Sequence, residues 1–425
     1  MYQFYSSFML DFELTRLIGS TASGGADIGE FKSAVGKIKK NDTESWFSAW
    51  SEQGERAERI GDEAASVGFK ALARNAYLRA SNYYRAAPYI FSGEDDRAIP
   101  YAEKSIKNFK RAAGLMDGEV VFVDIPYENG LTLPGYLCLP PRDARLPGKT
   151  PVVLYAGGAD STKEELYFLF GHSGPPLGYA VLCFEGPGQG LLLKRSKVPL
   201  RPDFEIVAGY ALDYIDSLAK SRPDLDLDLH KIAVAGAATG GYFALRAARD
   251  TRIKACVAID PFFSMWELAL TRAPQAFVKL WDSGWVMDDI VDKFTDAHGR
   301  GNFQAAWEMN LGRSSMGVDK STAMLRRFKE FSLQNKKDGN VLEKVTCPVF
   351  LTGPGAGQEM YASADDSTLK IEKMLTKVPT DKKKVWIPTD VADGGLTAKI
   401  GAWALLAQKT FEFLDAQFAV KRAAL

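Results

Sequence analysis

The segment from Lys231 to Ala248 has the pattern of a buried strand, a sharp glycine-rich turn and a helix. Gly236 and Gly240 stand four residues apart, which is the spacing of a turn that presents a nucleophilic serine between two glycines. The central position holds Ala238 instead. An alanine methyl group cannot attack a carbonyl carbon, so the sequence predicts that this turn forms no covalent acyl intermediate.

Neither the neighbouring threonine nor the histidines restore that chemistry. Thr239 follows Ala238 directly, but the register of such a turn directs its side chain elsewhere, so we treat it as a candidate substrate-binding residue. The chain has three histidines. His230 and His298 are expected at the surface, and His172 lies in a turn expected at the far edge of the sheet. A serine–histidine hydrolase therefore cannot be assembled from these residues.

Composition predicts a globular protein whose partner is a small molecule or another protein. The chain has 425 residues and is 46% hydrophobic, which is enough for one large α/β domain with an additional helical part. Lys plus Arg and Asp plus Glu both number 53, so no charge excess predicts a nucleic-acid or membrane partner. The apolar start of the chain has no basic flank and is soon followed by acids, so we expect neither a signal peptide nor a membrane span.

The cysteines and the small number of histidines argue against a metal site. Cys138, Cys183, Cys256 and Cys347 are far apart and form no CxxC pair. Thiols in apolar strand-like runs behave as small hydrophobic groups, and free thiols are typical of a reducing cytoplasm. Three histidines offer little material for a zinc site. We expect a cytoplasmic protein with no metal and no cofactor.

The hydrophobic pattern divides the chain into three parts. Residues 1–116 have the helical spacing of apolar side chains that predicts a helical N-terminal domain. Residues 117–260 and 341–425 begin with an antiparallel hairpin and continue with strands that alternate with helices, which predicts an α/β fold with a doubly wound, mostly parallel sheet. Residues 261–340 interrupt that rhythm with a helical stretch rich in Trp, Met and Phe, which predicts a cap inserted between two strands.

Residues at the carboxyl ends of the strands are the candidates for chemistry, because a doubly wound sheet binds its ligand there. These positions are Gly157, Glu185, Ala238, Asp260, Gly353 and residues from Thr389 onward. Glu185 is a candidate acid or base if an apolar pocket raises its pKa. Asp160 could serve in the same way, or it could cap the helix that begins near Ser161.

Six stretches of the chain together resemble the α/β-hydrolase superfamily. Within it they are most similar to a subgroup of dihydroxypseudooxynicotine C–C hydrolases and fungal hydrolases that tailor polyketides and polyketide–amino-acid pigments. The stretches are 24–29 (GGADIG), 79–86 (RASNYYRA), 155–162 (YAGGADST), 184–190 (FEGPGQG), 201–203 (RPD) and 240–242 (GGY).

The resemblance implies an α/β-hydrolase fold under a helical domain, a pocket between the two, a homodimer and a Ser–Asp–His triad. It also implies that backbone amides in the loop after the strand of Tyr155 bind an oxyanion. Gly157, Gly158 and Ala159 are the residues of this chain that match that loop.

The implied triad is missing at two or more positions. Ala238 stands at the serine position. In the loop before the final helix, residues 393–401 read DGGLTAKIG and place Thr397 where the family has its histidine. After the strand that begins at Val349, the only acid on offer is Glu359.

We therefore expect an enzyme of fungal-type secondary metabolism that does not hydrolyse its substrate through a triad. The retained loop can polarise a carbonyl or stabilise an enolate, which suits cyclisation, isomerisation, dehydration, aldol-type or pericyclic chemistry on a polyketide-like substrate. One alternative is a serine C–C or ester hydrolase in which Ala238 replaces the serine. Another is an inactive binding protein, because a fold alone does not establish activity. Cap aromatics such as Phe262 and Trp266 favour a maintained apolar pocket, or they pack as cap core.

Overall fold

The computed structural model describes residues 3–91, 95–271, 274–335, 339–355 and 364–422. Within these residues, five α-helices precede the first strand of the sheet. They are α1 (Phe8–Gly19), α2 (Ile28–Val35), α3 (Thr43–Ser66), α4 (Lys70–Ala86) and α5 (Ala98–Ala113). Their apolar faces pack on one another around Trp46, Trp50 and Tyr83, and the last two rings stack at 5.5 Å. None of the described helices is both long and apolar enough to cross a bilayer.

An eight-stranded sheet forms the centre of the molecule. Its strands are β1 (Val120–Pro126), β2 (Thr132–Cys138), β3 (Thr150–Ala156), β4 (Ala180–Phe184), β5 (Leu227–Ala237), β6 (Ile253–Ile259), β7 (Val349–Thr352) and β8 (Lys383–Trp386). Their order in the sheet is β1-β2-β4-β3-β5-β6-β7-β8. The hairpin of β1 and β2 is antiparallel, as is the pair of β2 and β4, and the other pairs are parallel. The predicted mostly parallel sheet is confirmed.

Helices cover both faces of this sheet. The described helices after β3 are α6 (Lys163–Leu166), α7 (Gly190–Ser196), α8 (Phe204–Ser221), α9 (Thr239–Ala247), α10 (Met265–Leu270), α11 (Gln275–Asp282), α12 (Asp288–Gly301), α13 (Phe303–Met316), α14 (Ser321–Phe328), α15 (Ala364–Met374) and α16 (Trp403–Phe418). On one face, Phe204 of α8 stacks on Phe243 of α9 at 4.2 Å. On the other, Phe411 of α16 stacks on Phe170 at 5.4 Å. The sheet is therefore doubly wound, as predicted.

The helices α10 to α14 form the predicted helical cap between β6 and β7. The indole N–H of Trp307 in α13 donates to the backbone carbonyl of Tyr89 (2.8 Å), so the cap is bonded to the N-terminal helical part. The outer surface of the cap carries exposed apolar side chains among charged ones, with Trp285 83% exposed, Met287 68% and Phe294 59%. One side of the cap thus contacts the helical part, and another presents large apolar side chains to solvent.

Candidate functional site

Ala238 occupies the sharp turn between β5 and α9, with φ 52° and ψ −113°. A positive φ is strained for a residue that has a Cβ atom. The flanking glycines are required for close packing. A Cβ at Gly236 would lie 2.2 Å from the Gly240 carbonyl oxygen, and a Cβ at Gly240 would lie 2.3 Å from the Ala156 carbonyl oxygen. The turn therefore has the backbone geometry that presents a nucleophile, and it presents a methyl group.

The amino end of α9 lies at this turn. The Ala238 amide donates to the Ile259 carbonyl (2.8 Å), and Thr239 is the first residue of the helix. Amides in the first turn of a helix have no carbonyl one turn earlier to accept them, and the helix dipole places partial positive charge there. The structure thus places Thr239 where its backbone amide, rather than its hydroxyl, favours a negatively charged oxygen.

The loop after β3 is held rigidly beside the turn by Gln189. The buried side-chain amide of Gln189 donates to the carbonyls of Gly157 and Gly158, both at 2.8 Å, and its oxygen accepts from the Gly186 amide at 2.7 Å. Gln189 therefore joins the loops that follow β3 and β4. Sequence analysis did not single it out, although it lies in the GPGQG stretch that carried the resemblance.

The direction of the loop amides follows from these bonds. A trans peptide is planar, with its N–H opposite its carbonyl. The Gly158 carbonyl points to Gln189, so the Ala159 N–H points to the opposite side. The Gly158 N–H is already used, since it donates to the Ser161 hydroxyl at 2.9 Å. The amides of Gly158 and Ala159 are thus both directed away from Gln189, and of these two the Ala159 amide is the one that does not donate to Ser161.

Asp160 lies in the same loop and is bonded to the helical part of the molecule. Its carboxylate accepts from Arg16 at 2.8 Å and from the Tyr89 hydroxyl at 3.1 Å. Burial acts to raise the pKa of Asp160, but the charge and hydrogen bond of Arg16 outweigh it and hold that pKa below its usual value. The raised pKa on which an acid–base role of Asp160 depends is not found at this position, because the direction of the shift favours the ionised carboxylate. The acid–base role of Asp160 stays a prediction.

Arg16 belongs to a larger buried cluster of charges. It also pairs with Glu165 and Glu13, and Arg85 pairs with Glu13 at 2.7 Å and with Glu165 at 3.5 Å. These four side chains are each at most 7% exposed. With Asp160 the cluster holds three carboxylates and two guanidinium groups, so it carries a surplus negative charge.

Glu185 lies behind the wall of the cleft, 1% exposed. One carboxylate oxygen accepts from the ammonium group of Lys163 (3.1 Å) and from its backbone amide (3.3 Å), and the other accepts from the Leu191 amide at 3.1 Å. A Cβ at Gly190 would lie 2.1 Å from the Glu185 carboxyl carbon, so Gly190 covers this carboxylate. These contacts make Glu185 a positioning residue for the loops around it, and its predicted acid–base role stays a prediction.

A buried ion pair lies where the resemblance expects the histidine. Asp260, the residue after β6, accepts from the Ala398 amide at 2.7 Å and from the Thr352 hydroxyl at 2.6 Å. The Lys399 ammonium group lies 2.8 Å from the same carboxylate and donates to the Gly353 carbonyl at 2.6 Å. Lys399 has no exposed surface, and burial lowers its pKa against the opposing effect of Asp260.

Thr397 is in this loop, as predicted, and is 7% exposed. The partner of the strand-end acid Asp260 is nevertheless Lys399, two residues farther on, which sequence analysis missed. The only signal for it was a lysine in the stretch DGGLTAKIG. Glu359, the other candidate acid, lies outside the described residues.

A cleft opens in front of the loop after β3, between the helical part, α7 and the cap helix α13. The cleft has a cavity volume of about 70 Å³ and adjoins a wider, open groove of about 910 Å³. Ala159 and Asp160 form part of its wall, together with Lys194 and Lys197. The other lining residues are Pro88, Tyr89, Phe91, Thr162, Gly188, Gly190, Leu193, Trp307, Leu311 and Ser314.

Of the candidate oxyanion- and substrate-binding residues in the described structure, Ala159 lines this cleft and six do not: Gly157, Gly158, Thr239, Tyr155, Phe262 and Trp266. Tyr155 is buried in the core, stacked on Phe170 at 4.7 Å, and Phe262 is stacked on Tyr242 at 4.9 Å. Trp266 packs against Trp281 within the cap at 6.3 Å. The contacts of Phe262 and Trp266 agree with the alternative interpretation, in which the cap aromatics pack as core.

Histidines and metal ligands do not complete a hydrolytic site. His172 contacts the Tyr167 carbonyl at 3.3 Å, and burial lowers its pKa. His230 lies eight residues before Ala238 near the opposite end of β5, roughly 25 Å away at the usual rise per strand residue. Across the described ranges, no group of three His, Cys, Asp or Glu side chains could hold a metal ion. All four cysteines are buried free thiols.

Known proteins resemble this chain over its whole length. A family model described as FrsA-like esterase matches residues 27–293. The α/β hydrolase gkaG of Penicillium citrinum is 75% identical and covers 100% of this chain and 99% of its own. The hydrolyase ccsE of Aspergillus clavatus is 42% identical over 98% of both chains. The crystal structure of the 2,6-dihydroxy-pseudo-oxynicotine hydrolase has the same fold, with a TM-score of 0.70 at 18% identity over 96% of this chain and 97% of that one.

Proposed function

Because the chain belongs to the FrsA-like esterase family and has the α/β-hydrolase fold, we propose that it is an enzyme that uses this scaffold for a reaction other than hydrolysis. The proposed reaction is a condensation within one polyketide-type intermediate. An enolate carbon adds to a carbonyl carbon, a ring closes and one water is lost. The observation that carries the proposal is the intact elbow with Ala238 at its apex.

Hydrolysis through an acyl-enzyme needs a nucleophile and a base that takes its proton. Ala238 supplies no nucleophile. Lys399 lies in the loop where the base would be expected, but it has no exposed surface and is paired with Asp260. Within the described residues, the elbow and the loop that faces it therefore lack both groups.

The parts that remain suit carbonyl and enolate chemistry. The Ala159 amide and the amino end of α9 are polar groups that do not need to be deprotonated to act. One well-placed donor stabilises a developing negative oxygen by about 3 kcal/mol. Gln189 holds the loop in place before substrate arrives, so little energy is spent on reorganisation during the reaction. These donors would hold the enolate oxygen while its carbon reacts.

The name of one relative supports the loss of water. gkaG and ccsE are proteins of filamentous fungi, and ccsE carries the name hydrolyase, a term for enzymes that remove or add water. The open groove of about 910 Å³ that adjoins the cleft offers room for a chain longer than a simple ester. A linear polyketide with an acidic C–H between two carbonyls fits this description.

Hydrolysis of a C–C or ester bond is the second candidate function. The matching family model is described as an esterase, and gkaG is named a hydrolase. In this chain such a reaction would require direct attack by water, because Ala238 cannot form the covalent intermediate.

The test is turnover followed by mass. Purified protein is incubated with linear polyketide–amino-acid aldehydes and ketones, with heat-denatured protein as the control. We expect a cyclic product that has lost one water, with its ring shown by NMR. A gain of one water would replace the proposal by the hydrolase. A product of unchanged mass would make the protein an isomerase, and binding without turnover would make it a binding protein.

A further inference from the structure

We propose that Lys194 is the nucleophile of this enzyme, and that its amine forms an iminium ion with an aldehyde or ketone carbon of the substrate. The inference rests on the proposed function, since it names the side chain that activates the electrophilic carbonyl. Lys194 belongs to α7 and lines the same cleft as Ala159 and Asp160. An amine in this position takes the role that the missing serine cannot fill.

Lys194 is half-buried, and it differs from the buried lysines Lys163 and Lys399 because it has no carboxylate partner. Lys163 lies 3.1 Å from Glu185, and Lys399 lies 2.8 Å from Asp260. In the part of the chain that the structure describes, no carboxylate oxygen lies within 4.0 Å of the Lys194 ammonium group. An ion pair opposes loss of the proton, whereas an unpaired lysine in a cleft lacks that opposing contact.

The surroundings of Lys194 favour the neutral amine. Burial lowers its pKa, the Glu185 carboxylate opposes this effect, and the ammonium group of Lys197 lowers the pKa further. Lys197 follows three residues later and lines the same cleft. Desolvation and a neighbouring cation are the two means by which enzymes make a lysine amine nucleophilic.

The cleft also suits the positive charge of an iminium ion. Asp160 is in its wall as a fixed carboxylate, and the cluster behind it has one more carboxylate than guanidinium groups. Opposite charges attract one another. The carboxylate in the wall therefore favours a cation in the cleft, and it favours the iminium ion and the protonated amine alike.

The reaction balances without any further reactant. The Lys194 amine adds to the carbonyl carbon, and one proton converts the resulting carbinolamine into an iminium ion and water. The acidic C–H of the same substrate supplies that proton when it becomes an enolate. The enolate carbon then adds to the iminium carbon and forms the C–C bond. Loss of a second α-proton breaks the C–N bond, releases the amine with that proton and leaves a C=C bond.

The experiment traps the iminium ion by reduction. The full-length protein is treated with octanal and cyanoborohydride, and the labelled lysines are identified by peptide mass mapping. The variants are Lys194→Arg, which keeps the charge and removes the nucleophile, and Lys377→Arg, which changes an exposed lysine far from the cleft. Thermal unfolding of both variants checks that they are folded.

We expect Lys194 to be labelled faster than any other lysine. We also expect substrate turnover by Lys194→Arg to fall by about a hundredfold or more, because the variant lacks the group that reacts with the substrate. Uniform labelling of lysines would overturn the inference, and so would full turnover by Lys194→Arg, which would show that Lys194 acts only as a charge. Loss of water by the native protein would still support the condensation in both cases. Selective labelling without any water-losing product would support the amine site and overturn the condensation.

Discussion

At the scale of single residues, Ala238 shows that the backbone conformation of a nucleophile turn persists without a nucleophilic side chain. The turn keeps φ 52° and ψ −113° although no serine uses it. Such a conformation costs on the order of 1–3 kcal/mol and persists only where the surrounding packing imposes it. Here the close approaches of Gly236 and Gly240 to neighbouring carbonyls impose it.

Restoring the serine alone should not restore hydrolysis. We expect Ala238→Ser to hydrolyse p-nitrophenyl esters no faster than the native chain, because the neighbouring Asp260 is paired with Lys399 rather than with a histidine. Release of p-nitrophenol measures the rate, and thermal unfolding confirms the fold. A rapid burst of p-nitrophenol from Ala238→Ser would show that a base is available after all.

The pH dependence of turnover should report on Lys194. Its pKa is lowered from 10.5, and only the neutral amine reacts, so kcat/KM should rise with pH through an apparent pKa below 10.5. Lys197 and Glu185 act on this pKa, while Asp160 stays ionised and adds no step near neutral pH. The pH profiles of kcat/KM for the native chain and for Lys194→Arg should differ in this rise with pH. A flat native profile would contradict the prediction.

Single residues also show where prediction from sequence ends. The absence of a serine at Ala238 is visible because the glycine spacing is local. The pairing of Asp260 with Lys399 is not visible, because the loop of Ala398 meets Asp260 from 138 positions away. The pKa direction of Asp160 could not be read from the sequence for the same reason, since Arg16 is a distant residue that only the fold brings near.

At the scale of elements, the two loops after β3 and β4 act as one unit through Gln189. We expect Gln189→Leu to lower turnover at least tenfold, because the carbonyls of Gly157 and Gly158 lose their donor and the Ala159 amide is no longer fixed. The variant should also lose roughly 1–3 kcal/mol of stability for each carbonyl left buried and unpaired. Kinetics and denaturant unfolding measure the two effects.

The exposed Gln408 provides the matched control for that change. Gln408→Leu alters the same side chain on the outer surface of α16 and should leave both turnover and unfolding unchanged. Equal losses of turnover in the two variants would show that Gln189 acts only through general stability.

The helical part is joined to the site by α1, through Arg16. We expect Arg16→Met to lower the free energy of unfolding by about 3 kcal/mol or more, because Asp160, Glu165 and Glu13 lose a shared cation. Arg222→Met, which breaks exposed ion pairs, should leave the Tm nearly unchanged. Similar Tm values for both variants would mean that the cluster contributes little to stability.

At the scale of the whole molecule, that cluster should appear in acid unfolding. The folded pKa of Asp160 is depressed, so its stabilising contribution is complete above the unfolded pKa of about 3.9 and is lost as the pH falls through the folded value. We expect Asp160→Asn to be less stable at neutral pH and to show a flatter decline of Tm below pH 5. A parallel decline in both proteins would assign the acid sensitivity to other carboxylates.

The overall architecture was predictable because it depends on patterns repeated along the chain. Alternating strands and helices gave the doubly wound sheet, and the helical interruption after β6 gave the cap. The cleft was harder to predict, since its wall combines Tyr89, Asp160, Lys194 and Trp307 from four separate segments. Their meeting depends on how the helical part and the cap pack, which no local pattern encodes.

The outer surface of the cap also gives the protein a built-in optical reporter. Of the eight tryptophans, Trp285 is 83% exposed and the other seven are buried or half-buried. Trp285 should therefore emit at longer wavelength than the rest and be the one that acrylamide quenches efficiently. A second copy or any other protein that covered the cap would shift this emission to the blue and protect it. Fluorescence of the unlabelled chain can thus follow cap contacts while the cleft is occupied.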